Sequence, residues 1–288
     1  MIYKIFAVIF LLVVFSSCGK SPKNINSEAF AFTSYRDIPG VTEAEKKAVE
    51  TLREKIPFFV YGMLSSTETF IGENGEIEGY SVFFCEWLSQ LFGIPFKPAI
   101  YEWGDLVAGI NEKKIDFTGE MTATEERRKT FFMTDAIVER SVRTMRLADS
   151  KPIAEILRSG TLRCCFLEGT TTVDDITSHL HGEYKIILEN SYKKVYQAIK
   201  NGDTDVFFFE EPLEAAFDMY DDVIVEDFLP VIYSPVSLAT KNPDLRPVIS
   251  IMQKALQNGA LDYLAGLYKL GKDRHRRHKL LMRLSDEE

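Results

Sequence analysis

GEMTATEERRKTFFMTD, residues 119–135, closes a strand-like run, IDFTGE, with threonines, then a charged cluster holding Arg127 and Arg128, two phenylalanines and a Thr-Asp turn. In an open α/β sheet, ligands gather beyond the carboxyl ends of strands. A strand end rich in hydroxyls and guanidinium groups is therefore a place to look for a ligand, provided the rest of the chain is such a sheet.

The flanking sequence has that pattern. Thr42-Glu43-Ala44-Glu45 is a capping box opening a helix to about Lys55. FFVYGML (58–64) reads as a strand, GENGE (72–76) as a turn, and YSVFFCEWLSQLF (80–92) as an amphipathic helix with Val82, Cys85, Leu88 and Phe92 on one side. IPFKPAIYE, WGDLVAGINE and IDFTGEM then read as strand, helix and strand. The pattern restarts with TLRCCFLE (161–168), a helix after GTTTVDD, the strand YKIILE, a helix capped by Ser191 and closed at Asn201-Gly202, and the strand DVFFFE (205–210). Alternating strands and helices predict parallel sheets and an α/β class. Ile110–Asp116 and Ile199–Asp205 share the spacing from helix end to strand start, and the two strands end at Glu120 and Glu210. Two halves of one make predict two lobes, residues 35–142 with 236–271 and residues 143–235, joined by crossings near Arg140–Arg146 and Val231–Ser237. Past VIYSPVSLAT (231–240), Pro243 starts a helix to about Gln257, and another runs to Leu270.

Composition narrows the function. A net charge of −9 argues against nucleic acid as a partner, because phosphate binding needs a basic face. MIYKIFAVIFLLVVFSSCGK carries one early lysine, an apolar run from Ile5 to Phe15, then small residues and a cysteine. The run is short for a membrane span and reads as a signal peptide, residues 1–17. Phe15-Ser16-Ser17-Cys18 resembles a bacterial lipobox, which implies lipidation of Cys18, a membrane anchor on the outer face and a polar tether over 18–34. An ordinary cleaved signal with Cys18 incidental is the alternative. Cys85, Cys164 and Cys165 form neither a disulfide framework nor a zinc spacing and read as small buried hydrophobes. The histidines, His179, His181, His275 and His278, lie outside the motif regions, so no metal site or histidine triad is expected.

EGYSVFFCEWLSQLFG, the YEWGDL helix start, KKIDFTGEMTATEERRKTFFMTD and LEGTTT resemble a family 3 extracellular solute-binding protein, over roughly residues 58–270. This is the amino-acid-binding type of periplasmic binding protein. SYRDIPGVTEAE, FGIPFKP and YSPVSLAT further resemble the sensor modules of that family found fused to histidine kinases and diguanylate cyclases, although no such output domain is expected here. The resemblance implies a two-lobed type II periplasmic binding protein fold, each lobe a mixed, mainly parallel sheet with flanking helices and two hinge crossings. It implies a small-molecule ligand, an amino acid, no cofactor, and an ABC permease or a membrane sensor as partner.

By position, Arg127 matches the arginine that grips the ligand's α-carboxylate, a bidentate contact that lysine cannot reproduce. Thr122, beside Gly119 on the same strand end, matches the hydroxyl that assists it. Thr170 and Thr171 match the second lobe's contribution from a helix N-terminus. Glu210 matches the acid that receives the α-ammonium, and Trp103 the aromatic lying against the ligand's side chain. Glu120 departs from the family, which has a small residue there. Its carboxylate could favour a cationic ligand, fill the pocket, or pair with an arginine. Leu64 and Ser65 stand where binders of basic amino acids carry an acid. The same fold also hosts dehydratases of prephenate-like acids, for which Glu120 would be the general acid, and a ligand-independent interaction module is a third possibility. The tail, residues 272–288, reads as a frayed helix with a solvated basic face or as a contact for anionic lipid or a partner.

Overall fold

The computed structural model describes residues 32–285. The signal peptide, Cys18 and all but the last residues of the tether fall outside them.

The first helix, α1 (Glu43–Lys55), starts at the expected capping box: Thr42 Oγ1 accepts from the Glu45 amide, and Glu45 accepts from the Thr42 amide at 2.7 Å. β1 (Phe59–Leu64) leads to a hairpin, β2 (Phe70–Ile71) and β3 (Ile77–Glu78), and then to α2 (Tyr80–Phe92). Gly79 precedes α2 with a φ of 114°, and its missing Cβ leaves room for the Glu68 carbonyl, which accepts from the Ser81 amide. That close approach pins the loop carrying Glu68 to the start of α2. β4 (Phe96–Tyr101), α3 (Trp103–Asn111), β5 (Phe117–Met121) and the single turn α4 (Glu125–Arg128) follow. β1, β4 and β5 are parallel.

β6 (Phe132–Leu147) is one strand of 16 residues. Thr134-Asp135, expected as a turn, lies inside it. The buried Thr134 hydroxyl accepts from the Leu238 amide, so the residue serves a strand pair as readily as a turn. The second half contains α5 (Ile153–Ser159), β7 (Leu162–Leu167), α6 (Thr172–Thr177), β8 (Tyr184–Glu189), α7 (Tyr192–Lys200), β9 (Val206–Glu210) and β10 (Val223–Asp227). β11 (Tyr233–Thr240), α8 (Arg246–Ala255) and α9 (Leu261–Ser285) then return to the first half.

The strand order is β4-β1-β5-β11-β6-β9-β7-β8, with β10 also on β6. β6 makes this order continuous. Its residues 132–141 pair with β11, and its residues 142–147 pair with β9 and β10. The chain thus passes between halves at Ser141–Val142 and returns at Ile232–Tyr233, where the Val142 amide donates to the Ile232 carbonyl. One core gathers α1, α2, α8 and α9 around Phe84, Leu88 and Phe92. A second lies around Cys164, Phe166 and Phe208. A third spans both halves, with Leu64, Trp103 and Leu106 against Tyr192, Phe207 and Phe209. The two lobes are in contact.

α9 differs from the expected helix to Leu270. It runs unbroken to Ser285, so residues 272–285 are not a frayed tail. Arg274 pairs with Glu78, Lys272 with Glu211 and Lys279 with Asp218, while His275 and His278 pack on Phe70. All these partners are distant in sequence.

Candidate functional site

Four strand ends converge where the halves meet. β1 ends at Leu64, β5 carries Glu120 and is followed by Thr122, β7 leads into Glu168–Thr172, and β9 ends at Glu210. Arg127 is held over this point by α4, whose cap Thr124 accepts from the Arg127 amide at 3.1 Å. The Arg127 guanidinium donates to the Thr122 carbonyl at 3.0 Å and, across the cleft, to the Gly169 carbonyl at 2.8 Å. Trp103 Nε1 makes a second crossing bond, to the Glu168 carbonyl at 2.7 Å. The indole is therefore fixed as a bridge between halves.

Beneath these lies a buried ion cluster that no local sequence motif announces. Arg140, 2 % exposed, donates Nε and Nη2 to Glu68 at 3.1 and 2.6 Å, and Nη1 to Glu120 at 2.7 Å and Glu210 at 2.9 Å. Tyr268 Oη donates to Glu68, and Ser234 Oγ donates to Glu210 at 3.1 Å. Of the three possibilities for Glu120, the structure has the pairing with an arginine. Burial alone would lower the Arg140 pKa; the carboxylates of Glu120, Glu68 and Glu210 reverse this and raise it well above the usual range. Burial pushes the Glu120 carboxyl upward, and although Arg140 opposes this, Glu68 and Glu210 add to it. Arg127 has its pKa lowered by burial, partly offset by Glu210. With Arg140 and Arg127 set against Glu68, Glu120 and Glu210, the site carries a surplus of one carboxylate. The Tyr192 hydroxyl, close enough to Glu120 and Glu210 to feel both charges, is buried without a hydrogen-bond partner among the described residues.

Above the cluster is a cavity of about 30 Å³, room for about two waters. Seven of the eight predicted site residues line it: Trp103, Glu120, Thr122, Arg127, Thr170, Thr171 and Glu210. Gly119 does not. It is packed beneath the Tyr61 hydroxyl, which a Cβ at 119 would strike, so its role is to let that ring in. Thr171 stands at the start of the short α6 without a side-chain cap bond, and Thr170 Oγ1 donates back to the Leu167 carbonyl at 2.9 Å. Glu68 and Arg140 carried no local signal: one is in a polar loop, the other in a strand whose charges read as surface.

The family model for bacterial extracellular solute-binding proteins, family 3, matches residues 63–271. The chain belongs to that family. Among curated proteins, none matches it. Solved structures similar to this solute-binding protein include the periplasmic domain of BvgS from B. pertussis, with a TM-score of 0.66 and 15 % identity over 85 % of this chain and 47 % of that one. An arginine third transport system periplasmic binding protein from Legionella pneumophila has a TM-score of 0.59 and 16 % identity, covering 74 % of this chain and 99 % of that one. The ancestral amino acid-binding protein AncCDT-1, a precursor of cyclohexadienyl dehydratase, has a TM-score of 0.54 and 20 % identity, covering 75 % and 96 %. The fold is thus that of type II periplasmic binding proteins, as expected from the motifs.

Proposed function

We propose that this solute-binding protein closes its two lobes, residues 35–142 with 236–271 and residues 143–235, around a small zwitterion, an amino acid. The observation that supports this most is the placement of Arg127. It reaches both lobes and lines the cavity with Thr122, Thr170 and Thr171, and among the described residues its guanidinium is bonded only to neutral carbonyls. A ligand carboxylate would replace those bonds with a bidentate pair between opposite charges, which is stronger. Glu210 faces the same cavity and supplies negative charge for the ammonium group. The present cavity is too small for an amino acid, so the lobes part before the ligand enters, in the hinge motion for which periplasmic binding proteins are a standard case. Cys18 would hold the chain by lipid to the outer face of a bacterial membrane. There it would serve either an ABC permease or a membrane sensor.

The closed cleft favours a second reading. Arg127–Gly169, Trp103–Glu168 and Arg140–Glu210 already join the lobes, so closure that needs no ligand is the alternative. Dehydratase chemistry fits less well, because Glu120, the acid it would use, is engaged by Arg140.

A thermal-shift screen of the purified chain with the standard amino acids and prephenate separates these readings. A ligand at a hundred times its Kd should add about 2.7 kcal/mol of stability. Binding predicts that one amino acid raises the melting temperature of the wild type and not of Arg127→Ala. If no amino acid shifts the wild type, ligand-independent closure takes its place. A shift by prephenate alone would reopen the dehydratase reading.

A further inference from the structure

β8 ends the strand order, and among the described residues β7 is its sole strand partner. Tyr184, Ile186 and Leu188, on one face of β8, are 38, 40 and 50 % exposed. Ile187, on the other face, packs into the core beside α7. An open sheet edge with an apolar face is a template for pairing with another strand, and soluble proteins ordinarily blunt such edges with charge.

The charges here have a particular placement. Lys185 and Glu189 flank Ile187 symmetrically, and neither makes a salt bridge within the described residues. We propose that β8 pairs antiparallel with β8 of a second copy of this chain, in the register that sets Ile187 against its own counterpart. That register places each Lys185 opposite a Glu189, twice over. It places Ile186 opposite Leu188 on the exposed face, also twice, and so covers both apolar side chains.

The backbone is arranged for the same register. The Glu183 and Glu189 carbonyls accept from the Leu162 and Glu168 amides of the β7 segment. Odd-numbered residues of β8 therefore aim their backbone groups inward, and Ile186 and Leu188 aim theirs at the open edge. In an antiparallel pair, residues that aim at the partner lie opposite one another and exchange both bonds. Pairing Ile186 with Leu188 satisfies this. Ile187 and the Lys185–Glu189 pairs then fall at the non-bonded positions, where side chains approach most closely. No other antiparallel register of β8 on itself opposes these two charges.

Sedimentation of the purified chain across a concentration series tests the pairing, with melting temperature as the check on folding. The wild type should show a concentration-dependent dimer. Ile186→Asp, at an exposed position, should leave a monomer of unchanged melting temperature. Lys185→Glu sets like charges opposite and should weaken the dimer about tenfold, and adding Glu189→Lys should restore it. A wild type that stays monomeric to roughly 100 µM overturns the proposal. So does a dimer that Ile186→Asp leaves intact, or a Lys185→Glu defect that Glu189→Lys fails to repair.

Discussion

Arg127 and Arg140 carry the same guanidinium a short way apart in sequence, and they are used in opposite ways. Arg140 is enclosed by charge: four of its five N–H groups donate to three carboxylates, in a site that is 2 % exposed. Arg127 is half-exposed and makes two side-chain bonds, both to neutral backbone carbonyls. A buried guanidinium with charged partners on every side is fixed, because losing any one strands a charge. A guanidinium on carbonyls can exchange them for a carboxylate. One arginine therefore joins the lobes at the hinge, while the other is available to a ligand.

The largest test of this contrast is Arg140→Met beside Arg127→Met. Removing Arg140 leaves three clustered carboxylates without their cation and should cost about 3–5 kcal/mol, read by urea denaturation. Removing Arg127, a charged donor whose partners are two neutral carbonyls, should cost less, about 2 kcal/mol or below. Equal losses would mean that the two arginines are both structural, and the ligand role of Arg127 would lose its support.

A second test concerns the surplus of negative charge around Arg140. The folded pKa of Glu120 lies above its ordinary value of 4.5, because of burial and in spite of Arg140. The folded state therefore holds a proton where the unfolded state does not. The stability from this group is fully present below about pH 4.5 and is lost as pH rises through the raised value. Other acids titrate too: partial burial would raise Glu45, but Lys254, Ser250 and Thr42 pull it down to about 2. The informative quantity is thus the difference from Glu120→Gln. Relative to this variant, wild type should lose stability as pH rises above about 4.5 and through the raised folded value, read by urea denaturation at a series of pH values. Parallel stability curves would show that Glu120 titrates alike in the folded and unfolded states and that Arg140 fully compensates its burial.

The same contrast separates what local sequence carries from what it does not. Arg127 sits in a segment with its own signals: a strand end, a capping threonine and charges on one turn. Glu120 and Glu210 could be read as strand ends for the same reason. Arg140 pairs with residues from three other segments, and its neighbours in VERSVRTMR alternate as a solvated strand would. Only the convergence of β5, β9 and the Glu68 loop turns that position into a buried one. Thr134-Asp135 carries a related ambiguity, since a threonine hydroxyl that closes turns can equally accept from a neighbouring strand, as Thr134 does from the Leu238 amide. The charges of residues 272–285 read as a solvent face because their partners, Glu78, Glu211 and Asp218, are distant in sequence.

The smallest expected effect tests whether Arg127 is positioned or merely present. Among the described residues Thr124 makes no side-chain hydrogen bond across the cleft; its hydroxyl accepts from the Arg127 amide and caps the single turn α4. Thr124→Ala should cost only about 0.5–1 kcal/mol of stability, the usual range for a lost cap. The turn would then fray, and Arg127 would have to be ordered by the ligand itself. Ligand affinity should accordingly fall several-fold, with the site's charges unchanged, whereas Thr124→Ser should retain it. Calorimetric titration with whichever amino acid stabilises the wild type measures this directly. If affinity survives Thr124→Ala, α4 does not orient the guanidinium, and the carbonyls of Thr122 and Gly169 alone hold it in place.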